Sequence, residues 1–183
     1  MTPARLTRFG NPILRQESKK VSLKEIELLS IQELISKLQE CIKTKNSGVG
    51  LAAPQIGKSL SVAVIDIKPT KLRPNVEPFS LTIINPEYSG IGRRSSMWEG
   101  CLSSGAGRNT LYAKALRYKK INAIWHDESG KKHQQIMDGL PAHVFQHETD
   151  HLHGILFVDL VRDTKTFMLA DEYKKRIQKK INS

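Results

Sequence analysis

His147-Glu148-Thr149-Asp150-His151 spells an H-E-x-x-H pattern, and the way this stretch is read decides what the rest of the chain is built around. The residues flanking it carry helix boundaries: Asp138 as a cap, Pro141 in the first turn, and Gly154 as a stop. On such a helix two histidines four apart project from one face, with Cβ atoms roughly 5–6 Å apart. That is close enough to grip one metal ion, with Glu148 beside it, where a general base for water belongs. A polar helix face whose histidines only form hydrogen bonds would spell the same five letters. The decision therefore rests on the remaining chain.

Upstream, Ser22-Leu-Lys-Glu25 is a capping-box pattern, and Ile31, Leu34, Ile35, Leu38 and Ile42 recur behind it at helical spacing. This predicts a helix from Leu23 to Thr44, ended by Asn46-Ser-Gly-Val-Gly50. Ser61 to Ile67 is rich in β-branched residues and reads as a strand, and residues 68–78, with three prolines, as a loop. Further strands are expected at Leu81–Ile84, over 110–126, and from Lys132 to Met137 after the turn Asp127-Glu-Ser-Gly130. A last helix is expected over Thr164 to Lys180. Helix, strands, helix, helix is an α+β arrangement, and 183 residues suit a single domain with a real core.

No apolar run reaches 18 residues, so no membrane-spanning helix is expected. Met1 to Arg15 lacks the apolar stretch of a secretory signal. It is basic and free of acids until Glu17, as a transit peptide would be, but Gly10-Asn-Pro-Ile-Leu-Arg15 reads as a folded loop. Cys41 and Cys101 sit in dissimilar contexts, which argues against a disulfide framework and for a reducing compartment, the cytoplasm. The net charge of +11 favours anionic partners such as RNA. Lys174, Lys175, Arg176, Lys179 and Lys180 fall within seven residues. They are either the solvated face of the last helix or a salt-sensitive tether to nucleic acid.

A catalytic site of this type needs a third protein ligand and one open position. The metzincin continuation requires histidine where Phe157 stands, so it fails. A thermolysin-like continuation places a glutamate about twenty residues beyond the second histidine; Glu172 is near that place, and this alternative stays open. The other candidate is Cys101, in Glu99-Gly-Cys-Leu-Ser103, accompanied by the glycine-rich segment Gly48-Val-Gly-Leu-Ala-Ala-Pro-Gln55.

With these three segments in view the chain resembles the peptide deformylases. The family's signatures stand here in order as G-x-G-L-A-A-P-Q at Gly48–Gln55, E-G-C-L-S at Glu99–Ser103 and Q-H-E-x-D-H at Gln146–His151. The segment Gly10-x-Pro-x-Leu-Arg15 is also similar, and the likeness runs from about Arg5 to Leu160. The resemblance implies antiparallel sheets around a central metal-binding helix, with N-terminal and C-terminal helices. It implies Cys101, His147 and His151 as ligands of Fe(II), a site that Zn, Ni or Co could also occupy. It further implies Glu148 as acid–base, Gln55 and the Leu102 backbone N–H as oxyanion donors, and a pocket from Gly48, Val49, Gly50, Leu51, Leu140 and His143. Leu51 reads as core or pocket lining, and Gln146 and Asp150 as groups that orient the ligands. The substrate would be the formylmethionine end of a nascent polypeptide, the products formate and a free amine, and the basic tail a ribosome contact.

Three positions depart from the pattern. Ser104-Gly105-Ala106-Gly107 replaces an apolar residue and proline, which predicts a more flexible rim. The arginine that pairs with the motif glutamate has Lys114 or Arg117 as its nearest counterpart. His143 stands where the pocket is usually apolar, as a satisfied wall residue or a fourth ligand, and predicts weaker preference for methionine. Two other readings remain: a thermolysin-like peptidase using Glu172, and an inactive paralogue serving as a basic ribosome- or RNA-binding module.

Overall fold

The capping box at Ser22 forms as expected. Ser22 Oγ accepts from the Glu25 amide (3.4 Å), and Glu25 Oε2 accepts from the Ser22 amide (2.8 Å), in a computed structural model that describes residues 5–45, 48–70 and 73–178. The box starts only a short helix, α1 (Leu23–Ile26); the backbone is extended at Leu28 and restarts as α2 (Leu29–Lys43). The unbroken helix expected from Leu23 to Thr44 is thus two. Gln32 fills the break: its Nε2 donates to the Ile26 carbonyl (2.7 Å) and to the Glu128 carbonyl (3.0 Å). It takes the acceptor that a continuing helix would offer its own backbone. Behind the break, α2 lays Ile31, Leu34, Ile35, Leu38 and Ile42 against Leu51, Val62 and Val64.

The strands are β1 (Gly50–Ala52), β2 (Val62–Ile67), β3 (Phe79–Gly100), β4 (Leu111–His126), β5 (Lys132–Asp138) and β6 (Met168–Leu169). They pair antiparallel in the order β1-β2-β3-β4-β5, with β6 added to β4. The strand expected at Leu81–Ile84 therefore continues to Gly100. Its register with β4 runs from Ile84 opposite His126 to Gly100 opposite Tyr112, shifting between Ile84 and Glu87 and between Ile91 and Arg94. Pro86 falls inside the first irregularity, where a missing N–H costs the ladder nothing. The long hairpin carries Glu99 and Arg117 to one place.

The next helix, α3 (Gly139–Leu152), runs between the expected signals of Asp138 and Gly154. Asp138 occupies the cap position without a side-chain cap bond. Gly154 is left-handed (φ 71°), and a Cβ there would lie 2.6 Å from the Arg15 carbonyl, so only glycine fits. The helix packs on β1, β2, β4 and β5, with Phe145 and Leu152 in a cluster with Ile65, Ile121 and Trp125.

The last helix begins at Ala170, not at Thr164. Asp163 caps a single 3-10 turn (Thr164–Thr166), Phe167 packs into a cluster with Phe157, and Met168–Leu169 pair with β4. Only then does α4 (Ala170–Tyr173) start, continuing as a π-helical turn, Lys174–Gln178. Lys179 and Lys180 lie outside the described residues. Among those described, no helix is long and apolar enough to cross a membrane.

Candidate metal centre

α3 is enclosed on nearly all sides, yet it buries Gln146, Glu148, Thr149, Asp150 and His151. Buried polar groups need partners, and two of the five explain themselves structurally. Gln146 fastens α3 to β4: its Nε2 donates to the Tyr118 carbonyl (2.9 Å), and its Oε1 accepts from the Tyr118 amide (2.9 Å). Asp150 accepts from the Tyr88 hydroxyl (3.0 Å) and from the Arg117 guanidinium. By contrast, Glu148 Oε2 and His151 Nδ1 are shut from solvent with no hydrogen-bond partner among the described residues.

These orphans surround a cluster. Cys101 Sγ lies 3.2 Å from His151 Nε2, and the donor atoms of Cys101, His147 and His151 all fall within 4.8 Å of one another. The sulfur is also approached by Gln55 Nε2 (3.6 Å) and the Ser103 amide (3.4 Å), polarity suited to a thiolate. His147 Nδ1 faces Glu99 Oε1 at 2.5 Å, which directs its other nitrogen to the cluster. One thiolate and two imidazoles are a donor set that fits a first-row transition ion. Neither His143 nor Glu172 belongs to it: His143 Nε2 is bonded to Glu99 Oε2 (2.7 Å), and Glu172 pairs with Arg176 one turn away.

Burial and charge set the protonation of this group. Burial pushes the Glu148 carboxyl up to about 7. Burial and the neighbouring His147 hold the His151 imidazole well below its usual range, hence neutral. Burial opposes charge on His147, but Glu99 and Cys101 outweigh it and raise that imidazole. Glu99 would be raised by its own burial; Arg117 above all, and His147, hold it well below the ordinary carboxylate range instead.

Arg117, not Lys114, is the partner of Glu99. Its Nε and Nη2 meet the two Glu99 oxygens at 2.9 and 2.7 Å, whereas Lys114 lies over the Trp98 ring (5.5 Å). Glu99 thus receives a guanidinium fork and two imidazoles, and through His147 it orients one residue of the cluster.

A cavity of about 560 Å³ opens beside the cluster, lined by Gly48, Val49, Gly50, Leu102, Leu140 and His143 among others. Leu51, expected with them, is fully buried in the α2 core instead, because alternate residues of β1 face opposite ways. Gly50 turns toward Glu148: a Cβ there would lie 2.3 Å from Glu148 Oε1. The rim at 104–107 is held more firmly than its glycines suggest. Arg8 Nη1 donates to the Leu102 and Gly105 carbonyls (2.6 Å each), and Ser104 Oγ bridges Cys101 and Leu111. Arg73, Trp98, Tyr112 and Tyr173 also line the cavity. Nothing in their spacing announced them, since the strand register alone brings Tyr112 beside Gly100.

The profile described as polypeptide deformylase matches residues 3–167. A peptide deformylase of Leptospira biflexa is 39% identical over 172 residues, covering 91% of this chain and 92% of its own. One from Aquifex aeolicus is 36% identical over 172 residues, covering 93% and 94%. Among solved structures, a Met-Ala-Ser-bound class I type b peptide deformylase of Acinetobacter baumannii aligns with a TM-score of 0.78 at 27% identity, covering 86% of this chain and 97% of that one. The peptide deformylase of Thermotoga maritima gives 0.74 at 30% identity, covering 89% and 100%.

Proposed function

The chain belongs to the polypeptide deformylase family, hydrolases that remove the N-terminal formyl group of nascent polypeptides, and we propose that it does so as one catalytic domain in which Cys101, His147 and His151 hold the metal and Glu148 moves the proton. One observation carries this assignment: three donor atoms within 4.8 Å of one another, two of them from the helix that also buries a Glu148 oxygen with no hydrogen-bond partner among the described residues.

Fe(II) is the proposed ion, and Zn, Ni or Co would accept the same donors. When bound, such an ion acts as a Lewis acid that polarises the formyl carbonyl and acidifies water. The protein's own groups do the rest. Glu148, with its carboxyl near 7, accepts the proton of the attacking water and passes it to the departing amine nitrogen, releasing formate. The Ala52 amide holds Gln55 Oε1 at 2.8 Å, which leaves the Gln55 NH₂ to face the cluster. That NH₂ and the Leu102 N–H are the proposed oxyanion donors; losing one such donor raises a barrier by about 2.7–4 kcal/mol. Glu99 fixes the His147 ring. β1 pairs only with β2 among the described strands, so Gly48, Val49 and Gly50 offer an edge along which an extended substrate can lie. Leu140 and His143 flank the methionine side chain, and the polar His143 weakens preference for it.

The unpaired state of both cysteines and the nascent substrate support a cytoplasmic setting. The basic tail from Lys174 is the proposed ribosome contact: cosedimentation should be salt-sensitive and lost on deleting residues 174–183, and unchanged binding would exclude it.

The test is an anaerobic preparation assayed for metal and for formate release from a formyl-Met peptide. Glu148→Gln should keep the metal while kcat falls about 10²–10⁴-fold, and Cys101→Ser should lose the metal. Retention of metal by Cys101→Ser, with loss in Glu172→Gln, would favour a thermolysin-like peptidase. Metal binding without formate release would favour an inactive paralogue.

A further inference from the structure

The mechanism uses one part of the cavity and leaves another unexplained. There the β2–β3 loop, β3, β4 and the C-terminal segment supply Arg73, Trp98, Tyr112, Tyr173 and Lys174. Tyr112 and Tyr173 stack with centroids 4.2 Å apart and planes within 7°, and Trp98 leans on Tyr173 at 5.4 Å. Arg73 lies close enough to both tyrosines for its charge to act on each phenol. Its backbone is pinned by reciprocal bonds with Thr70 (2.9 and 3.2 Å). Its Nε is closed off from solvent and has no hydrogen-bond partner among the described residues.

The charges lining the cavity are one-sided. Arg8, Lys45, Arg73 and Lys174 are cationic. The carboxylates lining it are Glu99 and Glu148; Glu99 is consumed by Arg117, His143 and His147, and Glu148 stands beside the metal donors. No lining carboxylate is left for Arg73. The half-buried Arg73 side chain, a cation facing no carboxylate among the described lining residues and close to the aromatic walls, is complementary in charge to a carboxylate.

Building on the deformylase reading, we propose that this wall is a subsite for an acidic side chain carried within the first residues after formylmethionine. The enzyme then deformylates nascent chains with early Asp or Glu faster than those with Gln, and slowest those with Lys. Arg73 supplies the facing positive charge, Lys174 adds to it, and the aromatic rings hold the methylenes of the acidic side chain.

The experiment measures kcat/KM for formate release from C-terminally amidated formyl-Met peptides with Glu, Gln or Lys at each of the next three positions. At one position Glu should exceed Gln by about tenfold, equivalent to about 1.4 kcal/mol, with Lys below Gln. Added salt should compress this order. In Arg73→Gln the Glu/Gln ratio should fall towards one, Arg73→Lys should restore part of it, and Lys174→Gln should reduce it partly. Equal rates for the three wild-type substrates at every position, or a ratio unchanged in Arg73→Gln, would overturn the proposal. So would a gain seen only with free C-terminal carboxylates, which would assign the wall to the chain terminus. Failure to release formate from any peptide would strike the deformylase reading itself and not this subsite.

Discussion

Replacing Arg117 by methionine should be the most damaging single substitution outside the metal donors. The guanidinium is 1% exposed, and it neutralises Glu99 and Asp150, themselves 6% and 5% exposed. Methionine fills comparable space and leaves two buried carboxylates facing no guanidinium. Removing one partner of such a pair costs about 3–5 kcal/mol, a large share of a total stability of about 5–15 kcal/mol. For a domain of this size, at about 2–4 °C per kcal/mol, the melting temperature should drop by about 6–20 °C. Thermal unfolding of wild type, Arg117→Met, Glu99→Gln and the double variant checks this. The double variant should be about 1–3 kcal/mol more stable than the sum of its singles predicts, because it removes the carboxylate along with its counter-ion. Metal affinity should fall about 10–100-fold as the His147 ring loses its braced partner. A loss below about 1 kcal/mol in Arg117→Met, or strictly additive singles, would refute the reasoning.

Three further outcomes follow from the geometry. Gly50→Ala places a methyl 2.3 Å from Glu148 Oε1, so kcat should fall about 10²-fold with metal content unchanged; full activity would show that Glu148 has room to move. Leu51→Ala should cost about 2–5 kcal/mol of stability and leave KM for a formyl-Met peptide unaltered, whereas a raised KM would return Leu51 to the pocket. Asp159, which accepts from Arg15 and from the Leu156 amide, is held below its usual range by those bonds against its own burial. A depressed carboxylate stabilises above the unfolded value and stops doing so as pH falls through the folded one. Asp159→Asn should thus be slightly less stable at neutral pH, by under about 1 kcal/mol for this half-exposed pair. The gap should close in chemical denaturation below about pH 4; a gap that widens there would contradict the assignment.

Much of the architecture was legible because local rules set it. Proline and glycine demand particular backbone angles, so the limits of α3 could be read from Pro141 and Gly154. The apolar period behind Ser22 likewise marked the buried face of α2. What escaped depends on partners far along the chain. Beside the break at Leu28, Gln32 bonds the distant Glu128 carbonyl, and just ahead of α4 Met168 and Leu169 pair with β4. β3 was read short because Glu87 to Ser96 is largely exposed, and a strand without a buried face shows no apolar alternation. At the site, residue types and motifs pointed to the groups that converge. The choice of Arg117 over Lys114 could not be counted, because it rests on the β3–β4 register, which sets Ala113 opposite Glu99 and so puts Arg117, not Lys114, on the same face of β4. Leu51, read as core or pocket lining, lies in the core, the side that period-two alternation beside Gly50 favours.

The sulfur donor precedes its imidazole partner by fifty positions. At about 5–20 residues per second, translation therefore presents Cys101 about 3–10 s before His151 exists to share an ion with it. Through that interval the thiol is an ordinary, oxidisable cysteine on an incomplete sheet. The order of synthesis thus asks that Cys101 stay a free thiol until the rest of its cluster has been made.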